Sequence, residues 1–353
     1  MPETGIPVAS MTRLYSVELA RVLGMLAVIA LHVAQQADPG GFGQRLDLAT
    51  VFDQLERFAV PMFFTLSGYF WAARCRSTDA YWPQARALTR RLLLLFLCWC
   101  LVYGLGAVLA AAVRQHSLAQ GLMAVAARHS GPLTLLLQGT KVHLWFLPAL
   151  ACAALLSGAC LAARRWRLLL LLAALLFLVG LAGKAYAPLL GWAPRFNFRN
   201  GPFFSLAPFV LGILLRRHRP SPEWLARGTM LAALGLALQL AEVLWLQRRW
   251  GVGMVQDYVC GTLLYGLGAA MMALSGSSSD SGAARLRPLA AIGPLVLGIY
   301  LSHYLFIDLL HPLGAILDRR PGGQAAYVAL VFACALPFTM LLAHWPPTRR
   351  LVL

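Results

Sequence analysis

Ten runs of mostly apolar residues recur from one end of this 353-residue chain to the other. They lie at roughly 14–36, 50–73, 88–113, 143–163, 167–183, 201–215, 226–247, 255–275, 288–310 and 325–344. A helix needs about 20 such residues to cross the hydrocarbon core of a bilayer. Backbone amides inside lipid have no water to bond, so runs of this kind close their hydrogen bonds within themselves as helices. The predicted fold class is all-α, a polytopic integral membrane helical bundle of about ten transmembrane helices. Charged residues make up only 12% of the chain, about half of the ~25% usual in soluble domains, and the mean hydropathy is +0.69. The first run is not read as a cleavable signal peptide, because it holds Glu18 and Arg21 and lacks a clean small-residue cleavage site.

Lys and Arg outnumber Asp and Glu by 30 to 13, a formal charge of +17. The basic residues sit mainly in short loops between apolar runs, which fits topology determination and anionic lipid contact and argues against nucleic acid. Ten spans put both termini on one side. With cytoplasmic termini the inner loops and ends carry 17 Lys and Arg against 11 outside, while Arg21 and Arg57 fall within spans. The bias favours cytoplasmic termini. Residues 114–142, with Arg114, Arg128, His129 and Lys141, are mixed and read as an amphipathic or re-entrant outer segment. Residues 276–284 read as a flexible linker, and the sixth run, with Pro202 and Pro208, as a broken helix. The seven cysteines form no CxxC pair and read as small core residues. No Walker loop, HExxH, GxSxG or strand-borne GxGxxG is present, so neither nucleotide hydrolysis nor a metal-dependent mechanism finds support, and no metal ligands are assigned.

Ionisable groups at membrane depth are expensive and face the protein interior. The first run reads YSVELARVLGMLAVIALHV. Arg21 and His32 are eleven residues apart, which on an α-helix is three turns plus about 20°, so they share a face ~16 Å apart along the axis. Glu18 precedes Arg21 by three residues and is placed to pair with it. A membrane histidine by itself commonly just bonds a neighbouring helix; the aligned ion pair makes a proton acceptor the stronger reading for His32, and a guanidinium clamps phosphate or carboxylate. Ser67-Gly68 in the second run suits a tight helix contact, and Pro61 is placed to loosen that helix. Arg90 and Arg91 open the third run, and Lys141, His143 and Trp145 open the fourth, at a level where a Trp ordinarily belongs to the interfacial belt. Arg195, Arg199 and Asn200 fall on the outer side. Ser302, His303 and Asp308 lie in the outer half of the ninth run, which brings His303 to a depth similar to that of His32, and Glu242 in the seventh run needs a partner.

Taken in order, these elements resemble the membrane acyltransferase family often called acyltransferase 3. Its first helix carries an Arg, ten residues and a His after an acidic residue, as in Glu18, Arg21 and His32. A proline–aromatic–aromatic stretch ending in Ser-Gly is matched by Pro61, Phe63, Phe64, Ser67 and Gly68. The HLWFL element is His143 to Leu147, and the late aromatic-Leu-x-His element is Tyr300 to His303. Arg90 and Arg91 match a basic cluster, and Asn200-Gly201 through Leu211-Gly212 complete the series. Two departures are Glu18, where Asp is common, and the lack of a soluble domain after the tenth span. The resemblance therefore implies one transmembrane acyltransferase domain over 1–353, core 14–344, that completes transfer alone or with a separate partner.

The resemblance further implies an O-acetyltransferase in a bacterial cytoplasmic (inner) membrane. It would move acetyl from acetyl-CoA to a sugar hydroxyl of a surface polysaccharide or its lipid-linked precursor, with an exopolysaccharide favoured and O-antigen next. Glu18, Arg21 and His32 would be catalytic, with His32 either taking the proton of the acceptor hydroxyl or accepting the acetyl group itself. Arg21, Arg90, Arg91 and Ser67 would bind the donor; His143, Trp145, His303, Arg199 and Asn200 would bind the acceptor. No cofactor is expected to stay bound, and the expected partners are acetyl-CoA, glycan, membrane lipid and polysaccharide assembly proteins. The rival reading is a transporter of a small anion or glycan intermediate, which also needs intramembrane charge; a non-catalytic scaffold is a third.

Overall fold

The first helix, α1 (Tyr15–Ala37), shows how the apolar runs become architecture. Val22, Met25 and Ile29 are buried along one side, and Arg21, Met25, Val28 and His32 follow each other at helical spacing along a cavity. The computed structural model describes residues 15–37, 48–127, 131–218, 220–276, 287–317 and 322–352. Among these residues there is no strand. Arg13, Arg128, His129, Arg219 and Arg285, and all but Gly276 of the 276–284 linker, lie outside them.

The chain continues through α2 (Leu48–Glu56), α3 (Ala59–Arg74), α4 (Tyr81–Gln115), α5 (Leu118–Ala127), α6 (Pro132–Gln138), α7 (Phe146–Ala162), α8 (Trp166–Ala182) and α9 (Pro202–Arg216). It then forms α10 (Glu223–Trp250), α11 (Cys260–Leu274), the short α12 (Arg287–Ala290), α13 (Val296–Leu309), α14 (His311–Leu317), α15 (Gly323–His344) and α16 (Pro346–Arg349). Among the described residues, six helical stretches are long and apolar enough to cross a membrane: Tyr15–Gln35, Thr78–Gln115, Val142–Ala162, Glu223–Trp250, Arg287–Leu309 and Gly323–His344. Trp166–Ala182, Pro202–Arg216 and Cys260–Leu274 are apolar but shorter. The multi-pass helical bundle expected from the sequence is therefore present, and six of its described helices have the length and apolarity of a crossing. The long α4 exposes Leu94, Leu97, Leu101, Leu105 and Leu109 along one side, the three-to-four residue spacing of a lipid-facing ridge.

The second run is interrupted at Arg57-Phe58, between α2 and α3, which is where Pro61 acts: it has no amide hydrogen for the Arg57 carbonyl four residues back, and its ring crowds that carbonyl. The loosening expected of Pro61 is therefore present, and one other expectation about proline is corrected. The sixth run is not broken, since α9 starts at Pro202 and passes through Pro208 without a gap. The mixed segment 114–142 is helical in α5 and α6 and ends in a 3-10 turn, Val142–Trp145, that leads into α7.

The crossing of α3 and α9 is set by two absent side chains. A Cβ on Gly68 would stand 2.0 Å from the Phe209 carbonyl oxygen, and one on Gly212 would stand 1.9 Å from that of Thr65. Backbone meets backbone there, as small residues permit between membrane helices. Gly235 and Gly261 bring α10 and α11 together in the same way. Behind this frame α1 packs between α3 and α11 on one side and α13 and α15 on the other. Gly68→Ala is expected to cost roughly 1–3 kcal/mol by overpacking, seen as a lower thermal midpoint of the detergent-solubilised protein. Gly106→Ala on α4, where a new Cβ meets nothing within 4 Å, should leave the midpoint unchanged or raise it.

Candidate active site

A cavity of ≈ 360 Å³ runs between α1, α3, α4, the turn before α7, and α13. One end carries guanidinium groups, Arg21, Arg74 and Arg91, and the other carries the imidazoles of His32 and His143 with the ring of Tyr300. Ser67 and Trp145 also line it.

At the basic end, Glu18 pairs with Arg21 at 3.3 Å, one helical turn away. The carboxylate is tucked against the segment before α13, where a Cβ on Gly293 would fall 2.0 Å from Glu18 Oε2. Arg21 also lies 5.4 Å from the centre of the Phe70 ring. Arg74 closes α3, and Arg91 stands at the end of the third turn of α4. Arg90 is exposed and is not among the residues lining the cavity.

At the other end three buried imidazoles converge from three elements. The His32 and His303 ring centres are 5.6 Å apart, those of His143 and His303 5.0 Å, and those of His32 and His143 6.5 Å. Tyr304 lies 5.0 Å from both His32 and His143, and Tyr103 lies 5.1 Å from His143. The similar depth expected for His32 and His303 is thus direct ring contact. His303 Nδ1 bonds the Tyr300 carbonyl oxygen at 2.6 Å, and the Tyr300 hydroxyl donates to the His143 carbonyl. Four imidazole nitrogens remain buried without a partner: His32 Nδ1, both nitrogens of His143, and His303 Nε2. Such groups are rare in folded proteins, and four on three touching rings mark a place built to meet a polar molecule.

His143 and Trp145 sit in the buried interior, not at a water-facing rim. The Trp145 ring is covered by the Arg199 guanidinium at 4.8 Å. Arg199 is held by Asp257 at 2.9 Å, and Lys184 shares that carboxylate at 2.6 Å. Asn200 is fully buried; its amide donates to Gln138 at 3.4 Å, and its carbonyl oxygen is unpartnered. Arg199, Asn200 and His303 stand outside the cavity wall proper, although Arg199 and His303 touch residues in it. Lys141 bonds Asp308 at 2.6 Å and lies 4.6 Å over the Tyr304 ring, capping the imidazole end.

Several contributors escaped the sequence reading. Arg74 follows an apolar run as an ordinary loop charge does, and no sequence motif marks Tyr103 or Tyr304; the helical spacing of Tyr300, His303 and Tyr304 is the signal that points to a shared face. Asp53 precedes Arg57 by four residues, a readable pairing signal, and the two form a buried ion pair at 2.6 Å. Gln54 donates to Asp53 at 3.0 Å, Gln239 donates to Gln54 at 3.0 Å, and Thr262 donates to Gln239 at 2.9 Å, tying α2 to α10 and α11. Glu242 finds its partner in the first turn of α11: its carboxylate accepts from the backbone of Cys260 at 3.1 Å and Gly261 at 2.7 Å, and from the Tyr186 hydroxyl.

Fold and cavity together define a multi-pass helical membrane protein with a basic pole and an imidazole pole in one interior site. The acyltransferase domain model matches residues 14–344, and the chain belongs to that family. Among curated proteins it is similar to a serine/alanine racemase of Enterococcus gallinarum, 28% identical over 236 residues, which take in 63% of this chain and 32% of that protein. It is also similar to an amino-acid racemase of Enterococcus faecalis, 26% identical over 219 residues, or 58% of this chain and 29% of that protein. The match therefore spans about a third of the length of these curated relatives. No solved structure matches the chain.

Removing one partner of the Asp53–Arg57 pair leaves a charge buried and unanswered. Asp53→Leu is expected to destabilise the protein by about 3–5 kcal/mol, and Asp53→Leu with Arg57→Met should recover most of that loss in a denaturant titration of the solubilised protein.

Proposed function

We propose that this chain is an O-acyltransferase that moves acetyl from cytoplasmic acetyl-CoA to a sugar hydroxyl of a surface polysaccharide or its lipid-linked precursor. An exopolysaccharide repeat is the favoured acceptor and an O-antigen the next. The observation that carries this reading is the single cavity with guanidinium groups at one end and buried imidazoles at the other. Acetyl-CoA has the matching form, with phosphates at one end, a long flexible arm, and a thioester at the tip. Arginine forks bind phosphate through charge-assisted bonds, which gives the donor-binding role to Arg21 and Arg91, with Arg74 beside them. Ser67 lines the path of the arm. The ~16 Å of helix between Arg21 and His32 suits an extended pantetheine.

His32 then takes the proton of the acceptor hydroxyl as its oxygen attacks the thioester carbonyl. A carbon–oxygen bond forms, the carbon–sulfur bond breaks, and the proton ends on the departing CoA sulfur. Glu18 keeps Arg21 in place. His143, Trp145 and His303, with Arg199 and Asn200 behind them, form the acceptor side. Arg90, exposed beside the cavity, acts on the donor only through long-range attraction. The setting is a bacterial inner membrane with both termini in the cytoplasm, and the acceptor is delivered by polysaccharide assembly proteins.

The test is release of free thiol from acetyl-CoA by the purified protein in lipid, with a glycan acceptor supplied and acetylated product followed by mass spectrometry. His32→Ala and Arg21→Ala, in forms that insert normally, are expected to lower the rate at least about 100-fold. Arg91→Ala should raise the KM for acetyl-CoA by about tenfold, the loss of one charge-assisted bond, while Arg90→Ala changes it little. A transporter would release no thiol at all. Near wild-type rates in both the His32 and the Arg21 variants would sink the assignment.

A further inference from the structure

His303 differs from the other two imidazoles in one respect. Its Nδ1 faces the Tyr300 carbonyl oxygen at 2.6 Å, and a carbonyl oxygen only accepts, so the hydrogen of the neutral ring is on Nδ1. Nε2 is then a bare lone pair, buried and without a partner. His32 and His143 have no such bond to a backbone carbonyl through the nitrogens left open, His32 Nδ1 and both nitrogens of His143. The carbonyl is itself well anchored: Tyr300 belongs to α13, and its hydroxyl reaches across to the His143 backbone. One residue therefore fixes the orientation of His303 and ties down the turn that carries His143.

The neighbour that stands to use this lone pair is His32. The two rings are nearly parallel, with an interplanar angle of 27° and centres 5.6 Å apart. Two imidazoles joined by a single N–H···N bond of about 2.9 Å have their centres roughly 5 Å apart. The observed separation of 5.6 Å is close to that figure, and His32 Nδ1, like His303 Nε2, is buried without a partner.

We propose that His303 is a positioning residue for acyl transfer: held by Tyr300, it presents Nε2 as a fixed acceptor to the N–H of His32 once His32 has taken the acceptor's proton. The inference rests on the transfer reaction proposed above. The proton leaves the hydroxyl oxygen for one nitrogen of His32, the hydrogen on the other nitrogen is accepted by His303, and the first proton passes to the thiolate sulfur as CoA departs. His303 gains no proton across the cycle. It steadies the charged ring while the carbon–oxygen bond forms and the carbon–sulfur bond breaks.

A glutamine at 303 keeps an oxygen acceptor near the Nε2 position but cannot carry a proton, whereas a leucine keeps only bulk. With the full-length protein in lipid, His303→Leu is expected to lower kcat about 100-fold while the KM for acetyl-CoA stays within about twofold, because the donor's phosphates bind at the far pole. His303→Gln should regain at least tenfold of that loss. Unchanged kcat in His303→Leu, or no recovery in a His303→Gln protein that still binds acetyl-CoA, overturns the proposal. If the Leu variant does not fold, the Gln variant decides alone: kcat within about tenfold of wild type supports the role, and an inactive protein that binds acetyl-CoA refutes it. A readout independent of turnover is the ¹⁵N spectrum of histidine-labelled protein, with His303 assigned by its loss in the Gln variant. The hydrogen is expected on Nδ1, and a hydrogen on Nε2 rules the role out. Failure of the transfer reaction itself shows separately, as a wild-type protein that releases no thiol.

Discussion

Lipid offers no partner to a buried guanidinium, carboxylate or amide, so each has to be answered by another part of the protein, and the arrangement of helices follows from those answers. Arg57 turns back one helical turn to Asp53, and the spare capacity of that carboxylate is taken up by Gln54, which leads to Gln239 and Thr262. Glu242 is answered by the backbone of α11, where a carboxylate also meets the positive end of the helix dipole. The first solution draws together helices remote in sequence, α2 with α10, and the second closes the neighbouring helices α10 and α11 on each other. The apolar surfaces alone would not select these pairings, because one leucine-rich face is as well served by lipid as by another helix.

That division explains what could be read from the chain. The phase of α1 was legible: Glu18, Arg21 and His32 follow from a period of 3.6 residues, and the pair at 3.3 Å and the shared cavity lie where the period puts them. The close fit at Ser67-Gly68 was legible from residue size. So was the break at Arg57-Phe58, because Arg57 carries the carbonyl four residues back that Pro61 leaves unbonded. An apolar count does not register that Arg57 is also half of a buried pair with Asp53. Pro208 misled: it sits within α9 beside the tight crossing at Phe209 and Gly212, and the helix runs on through it.

The site was legible residue by residue but not as a shape. His32, His143 and His303 are each visible as histidines in apolar runs, yet their spacing in sequence, on the order of a hundred residues and more, says nothing of rings in contact. Arg74 looked like any basic residue after a span, and only the antiparallel run of α3 beside α1 returns it to the level of Arg21. Arg90 and Arg91 are neighbours in sequence, and a helix turns successive side chains by about 100°, so one can line the cavity while the other does not.

Against the rule that buried polar groups are answered, the imidazole end is the exception, and it is a structured one. His303 Nδ1 is bonded, the turn carrying His143 is tied by Tyr300, and Tyr103 donates to the Leu301 carbonyl at 2.7 Å. Three backbone carbonyls around the rings, those of His143, Tyr300 and Leu301, thus accept side-chain bonds while four ring nitrogens are left open. Loose packing would leave vacancies in the backbone and the side chains alike. Here the supports nearest the rings are bonded while four ring nitrogens, groups able to move a proton, are not, which is the arrangement expected where rigidity serves chemistry and an incoming molecule supplies the missing partners.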